Sequence, residues 1–144
     1  MVIRNHDGKW ICGFARQIGH ASSVMVELWA IRDGLSLAIS MGFPHVYVEL
    51  DVLLVVSYLV NLSKFHPYLM TLVDDYRLLL HGIPNSRVSH IFKEANKCVN
   101  AMASLGRTQS INFAIFSSPS KSVVGLIDFD ILAEVCLHLV LAPS

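Results

Sequence analysis

Apolar and polar positions along the chain alternate in short runs and then settle, once, into a long helical period. Val2-Ile3-Arg4 predicts a short strand, and His6-Asp7-Gly8 predicts a hairpin turn, because Asp-Gly tolerates positive φ. Trp10 to Ala15 predicts a second strand, and Gly19 to Ser23 a polar break. From about Val24 to Met41 the apolar residues Ile31, Leu35 and Ala38 or Ile39 recur at helical spacing, so one helix face packs on a sheet. Ser22 or Ser23 can cap that helix, and Gly42 can end it in the left-handed conformation.

Pro44 starts a turn, His45 to Leu50 alternates as a strand, and Asp51 opens a helix over Val52 to Leu62. A further helix is expected from Pro67, suited to a first helical position, to His81, with Gly82 as its stop. Pro84-Asn85-Ser86 reads as a loop and Arg87 to Phe92 as a strand. Lys93 to Gly106 reads as a helix capped by Asn96. After Gly106 the pattern turns irregular, and Val123 to Leu141 reads as an apolar, partly helical tail. The order strand, strand, helix, strand, helix, helix, strand, helix predicts an α/β fold, a mixed sheet with helices on its faces. No internal repeat, phosphate-binding glycine loop or Gly-x-Ser-x-Gly elbow is present.

Composition narrows this picture. The 144 residues suffice for one domain with its own core, and 53% hydrophobic content argues against disorder. Lys+Arg and Asp+Glu are both 11, so the basic excess of a strong nucleic-acid binder is missing. Any such binding is expected to be weak or to rest on a local patch. The three cysteines, Cys12, Cys98 and Cys136, are scattered, which fits neither a disulfide framework nor a structural zinc site, and suits a reducing, intracellular compartment. The first ten residues do not read as a signal peptide. Asp128, Asp130, Glu134 and His138 interrupt the apolar tail, and acids at the centre of a spanning helix cost about 2.5–3.5 kcal/mol each, so no membrane span is expected.

Two carboxylates stand out. Glu27 lies four residues before Ile31 and shares its buried-side face; Asp51 sits at the tip of a strand. A negative charge beside apolar surface is costly unless a positive group accompanies it, and a divalent metal ion is the obvious candidate. The competing readings are structural. Glu27 could complete a capping box, but that motif needs the acid three residues after the cap, where Ser23 places Val26. Asp51 could be a helix N-cap, a role compatible with metal binding through its second oxygen. Asp74 and Asp75 read as a charge pair on a solvated face.

Four blocks in order, DGKWICGFARQIG, VELWAIRDGLSLAISMG, VYVELD and SHIFKEANKCVNAMASLG, resemble the type-1 ribonuclease H domain. The closest variety is the plant form found in non-LTR retroelement reverse transcriptases and retroelement-derived genes. The resemblance covers Met1 to Gly106, making 1–106 a ribonuclease H-like domain and 107–144 a tail, and Phe113 to Pro119 resembles the tail of that group. It implies a ribonuclease H-like mixed sheet with helices on both faces. It also implies cutting of the RNA strand of an RNA–DNA hybrid through two magnesium ions, about 3.5–4 Å apart, held by four acids. Glu27 matches the acid of the first long helix and Asp51 the acid ending the fourth strand.

The other two positions depart from the pattern. Where the family reads Arg-Glu-x-Asn-x-x-Ala-Asp-x-x-Ala, this chain reads Lys93-Glu94-Ala95-Asn96-Lys97-Cys98-Val99-Asn100-Ala101-Met102-Ala103, so the fourth carboxylate is Asn100. The first acid is absent, because the first, central strand that carries it is missing and Met1 to Asn5 resemble the back half of the second. His90, ten positions before Asn100, stands at the offset of a family histidine that assists proton transfer or product release; its plain alternative is a strand histidine without chemistry.

Glu27 and Asp51 balance only half the charge of two magnesium ions, and magnesium prefers carboxylate oxygen. One ion through Glu27 and Asp51 is compatible with this lining; a paired-ion site is not expected. A missing central strand would leave two neighbours with unpaired backbone groups, each costing about 1–3 kcal/mol when buried. The expected remedies are closure of the sheet, a strand-donating protein partner, or low stability. Three functions fit these residues: a hybrid-binding domain with impaired or absent cleavage, an active magnesium-dependent hybrid ribonuclease when complete, and a non-catalytic retroelement remnant or interaction module.

Overall fold

The computed structural model of the chain describes residues 1–60, 67–90, 101, 102, 104, 105, 107, 110–121, 123, 124, 126 and 138–141. Strands β1 (Val2–Asn5) and β2 (Trp10–Arg16) form an antiparallel hairpin. Its turn places Gly8 at φ 76°, and Asn5 Oδ1 accepts from the N–H groups of Asp7 and Lys9 at 3.1 and 2.9 Å. The short amide side chain thereby holds the loop that the Asp-Gly pair permits.

Helix α1 (Ser23–Ser40) is capped by Ser22, whose Oγ accepts from the Met25 N–H at 3.2 Å. Its far end closes as a Schellman motif: the Phe43 N–H reaches Ala38 O at 3.1 Å, the Gly42 N–H reaches Ile39 O at 2.9 Å, and Gly42 takes φ 75°. Leu28, Ile31, Leu35 and Ala38 are buried, packing with Phe14, Val46 and Val48 in the main core. Strand β3 (His45–Leu50) turns Val46, Val48 and Leu50 into that core in strict alternation. Helix α2 (Leu53–Val60), a single 3₁₀ turn (Pro67–Leu69) and helix α3 (Met70–His81) follow. The expected helix from Pro67 thus begins in tighter geometry, a common way for a helix to enter its first turn.

Strand β4 (Asn85–His90) starts earlier than expected, because the Asn85 N–H donates to Pro44 O at 3.1 Å and opens the parallel ladder to β3. The expected helix over 93–106 falls mostly outside the described residues. Ala101, Met102, Ser104, Leu105 and Arg107 are helical, one position past the expected stop, and Arg107 Nη2 donates to Ser104 Oγ at 3.1 Å.

The tail differs most from expectation. Strands β5 (Phe113–Phe116) and β6 (His138–Leu141) both hydrogen-bond into the sheet, whose order is β4-β3-β6-β1-β2-β5. The helical reading of 123–141 therefore fails at its end, although Val123, Val124 and Leu126 are helical. A run of apolar residues does not itself distinguish a buried helix from a central strand. Here the open backbone groups of β1 and β3 decide for strand. β6 lies parallel to β1, pairing Val2 to Asn5 with His138 to Leu141, and antiparallel to β3 through Tyr47↔Val140 and Val48↔Leu139. β6 thus lies between β1 and β3, at the position where the sequence reading expects a missing strand.

Helices cover both faces of the sheet. A second, smaller cluster of Val2, Met102 and Val123, with Trp10, Leu105 and Leu126 against it, lies on the face opposite α1. Gly13 belongs to this contact: a Cβ there would sit 2.5 Å from the Trp10 ring and 3.0 Å from Met102 Cε.

Candidate functional site

Glu27 projects from the second turn of α1, and Asp51 follows the last residue of β3. The helix is long and amphipathic enough to lie across the sheet, which brings its N-terminal end over the end of β3. The cap of α1 is Ser22, so Glu27 takes no part in a capping box. The first turn of α2 closes on Val52, whose carbonyl accepts from the Val55 and Val56 N–H groups at 2.9 and 3.2 Å. Asp51 therefore lies one residue ahead of the cap position, which corrects its expected N-cap role.

The two acids meet. The Glu27 carboxylate accepts a hydrogen bond from the Asp51 backbone N–H, while its Oε1 is buried and has no hydrogen-bond partner among the described residues. Burial first, and the neighbouring Asp51 charge second, push the Glu27 carboxyl up to about 7; the Met1 nitrogen and the Asp51 N–H pull it the other way. A buried oxygen without a donor beside a second carboxylate is an environment short of positive charge. Two carboxylates with one donorless oxygen between them are the kind of lining that a hard divalent cation such as magnesium would suit. Among the described residues no group of three His, Cys, Asp or Glu side chains could hold a metal. Among the described residues the lining is a pair.

His90 is the last residue of β4 and pairs in register with Leu50, immediately before Asp51. Both strands run parallel, so His90 and Asp51 share one edge of the sheet, with His90 exposed. Asn100 lies outside the described residues.

Other groups near the site escape a reading of sequence. Glu49, two residues before Asp51, is half-buried, and burial pushes its carboxyl up to about 7. Its only signal is an acid at the non-core position of a strand that becomes central. Arg16 on β2 forms a two-pronged pair with Asp33 on α1, with Nη2 2.8 Å from Oδ1. The same guanidinium lies 5.3 Å from the centre of the Trp29 ring and 5.0 Å from that of Phe113. Arg32 stacks on Trp29 at 5.0 Å and meets Asp75 at 3.4 Å. Asp75, read as simply solvated, thus braces α3 against α1. These contacts join residues far apart in the chain, and their cations are already balanced by acids.

Comparison with known proteins agrees with this architecture. Residues 1–106 match the family described as reverse transcriptase-like. A provisionally named ribonuclease H protein of Arabidopsis thaliana is 31% identical over 138 residues, covering 92% of this chain and 22% of that protein. The chain thus spans about a fifth of this relative. The crystal structure of RNase H1 from the halophilic archaeon Halobacterium salinarum superimposes with a TM-score of 0.58 at 24% identity, over 62% of this chain and 68% of that one, a likeness of fold. Among the described residues no helix is long and apolar enough to cross a membrane.

Proposed function

Since the chain belongs to the reverse transcriptase-like family, with a ribonuclease H-type fold, we propose that it is a nucleic-acid-binding domain of RNA–DNA hybrid type whose cleavage is impaired or absent. The observation that carries this reading is the Glu27–Asp51 pair: two acids of the family pattern brought together, with one oxygen lacking a donor, and Asn100 where the pattern has an acid.

A bound magnesium ion would neutralise substrate phosphate charge and lower the pKa of a water. The residues themselves do the rest. Glu27 and Asp51 would hold the ion at the C-terminal end of β3, and His90, at the same end of β4, would stand ready for proton transfer or product release. Asn100 would offer at most a carbonyl oxygen without charge, so a second ion would be poorly held. Weak hybrid binding follows from the balanced charge of the chain.

The alternative of an active hybrid ribonuclease is separated by one assay. Purified chain incubated with RNA–DNA hybrid and magnesium is expected to shift the hybrid at low salt without cutting it. Asn100→Asp is expected to raise cutting above background. Cutting by the unaltered chain that falls on Glu27→Gln overturns the impaired reading, and no shift at any salt removes the nucleic-acid reading in favour of a non-catalytic interaction module. A strand-donating protein partner belongs to that last reading.

A further inference from the structure

Strand β5 forms one outer edge of the sheet and β4 the other. In an antiparallel ladder, successive residues turn their backbone groups alternately toward one neighbour and the other. On β2, Phe14 turns its groups away from β5: its N–H donates to Met1 O at 3.0 Å, and its carbonyl accepts from the Met1 nitrogen at 2.8 Å. Ile115, opposite Phe14, and Phe113, opposite Arg16, therefore direct their N–H and C=O groups away from β2. The Gln17 N–H, donating to Asn112 O at 2.9 Å, sets the same phase. Among the described residues no strand lies beyond β5. The two edges are guarded differently. β4 carries Arg87 and ends on His90, both exposed, whereas 108–120 holds no charged residue. Ile115 is 54% exposed and Ile111 62%. An open edge that is apolar and uncharged is a template for another strand.

We propose that β5 is a self-association edge, which pairs antiparallel with the β5 of a second copy of this chain about a two-fold axis at Ala114. The occupant follows from the strand itself. The residues with outward groups flank Ala114, so the axis sets Phe113 opposite the partner's Ile115, and Ile115 opposite the partner's Phe113. Each such pair exchanges both N–H···O bonds, which satisfies every outward group of the two residues. Phe113 packs on Phe14 with ring centres 5.6 Å apart, and Ile115 stands opposite Phe14, so both side chains lie on the α1 side of the sheet. Pairing across the axis covers the exposed Ile115 with an aromatic ring. Alanine at the axis leaves room where the two backbones come closest. An uncharged edge also meets its own copy without like-charge repulsion. Joining β5 to the β4 of a neighbour would instead generate an open row of molecules, with Arg87 and His90 brought against an edge that has no acid. The contact is small, which suits a weak, reversible dimer. It leaves β3 and β4, and with them Asp51 and His90, on the outer side of each copy.

Sedimentation velocity of the whole chain from about 1 µM to about 1 mM covers the range of weak complexes. A concentration-dependent dimer is expected. Ile115→Lys changes an exposed side chain, and Ile115→Pro removes an outward donor without touching the ladder to β2; each is expected to weaken association by about tenfold or more. Leu78→Lys, on α3 and 71% exposed, is expected to leave association unchanged. A chain that stays monomeric throughout, or a dimer that Ile115→Lys leaves as strong as Leu78→Lys does, overturns the proposal. If the Ile115 variants lose the circular dichroism of the unaltered chain, trapping decides. Ala114→Cys places two thiols at the axis, where facing Cα atoms approach to about 4.5 Å, within disulfide reach. Mild oxidation is expected to link Ala114→Cys into a dimer, and Ser117→Cys, which the same axis holds apart, about tenfold less. Equal yields, or no linked dimer in Ala114→Cys, overturn the proposal. Neither readout involves hybrid or magnesium, so this edge stands or falls apart from the proposed function.

Discussion

Glu27 and Asp51 are joined and opposed at once. The Asp51 backbone N–H donates to the Glu27 carboxylate, while the Asp51 side chain adds its negative charge to the burial that keeps Glu27 protonated up to about 7. Two carboxylates this close, one of them buried, are costly in their charged forms unless a positive group accompanies them.

This opposition makes the metal-free protein sensitive to pH. The folded-state pKa of Glu27 is raised from 4.5 to about 7, so its contribution to stability is full below about pH 4.5 and is lost as pH rises through about 7. Urea unfolding in chelator is expected to show stability falling over that window by up to about 3 kcal/mol from this group. Glu27→Gln is expected to flatten the fall. Glu49→Gln is expected to do so to a smaller degree, because Glu49 is less buried. An unchanged slope in Glu27→Gln would show that the carboxyl is not so placed.

Magnesium is expected to reverse the trend. Binding to the folded state alone stabilises by mass action, about 2.7 kcal/mol at a hundred times the dissociation constant. Thermal melts at pH 7.5 across a magnesium series are expected to rise by a few degrees in the unaltered chain and to stay flat in Glu27→Gln and Asp51→Asn. Calorimetry at pH 6.5 in two buffers of different ionisation enthalpy is expected to show proton release on binding, as Glu27 ionises to accept the ion.

The Arg16–Asp33 pair ties β2 to α1 and thereby sets the helix that carries Glu27. Asp33 is 10% exposed and Arg16 31%. Arg16→Leu leaves a largely buried carboxylate without its donor and is expected to cost about 1–3 kcal/mol in chemical denaturation. Arg16→Leu with Asp33→Leu is expected to cost less than the sum of the two single changes.

Gly13 tests the second core. Gly13→Ala puts a methyl group into the Trp10 ring, and its destabilisation is expected at about 1–3 kcal/mol with a change in tryptophan emission. Adding Trp10→Leu is expected to recover part of that loss. Full stability in Gly13→Ala would place the Trp10 ring elsewhere.

Local chemistry made much of the chain legible. The Asp-Gly turn, the serine cap, Gly42 past the end of α1 and the alternation of Val46, Val48 and Leu50 each express a backbone or side-chain preference acting within a few residues. Glu27 and Asp51, which the family resemblance singled out, lie on α1 and just after β3, and the structure brings them together.

What sequence alone could not decide depends on partners far along the chain. The raised carboxyl of Glu27 arises from what covers it, and the role of Asp33 from a guanidinium seventeen residues away. The tail shows the division most clearly. Its apolar run was compatible with a helix or a strand, and the choice at 138–141 belongs to the unpaired N–H and C=O groups of β1 and β3. Hydrogen-bonding groups in a sheet are satisfied by whichever strand reaches them, and only the assembled sheet specifies which one does.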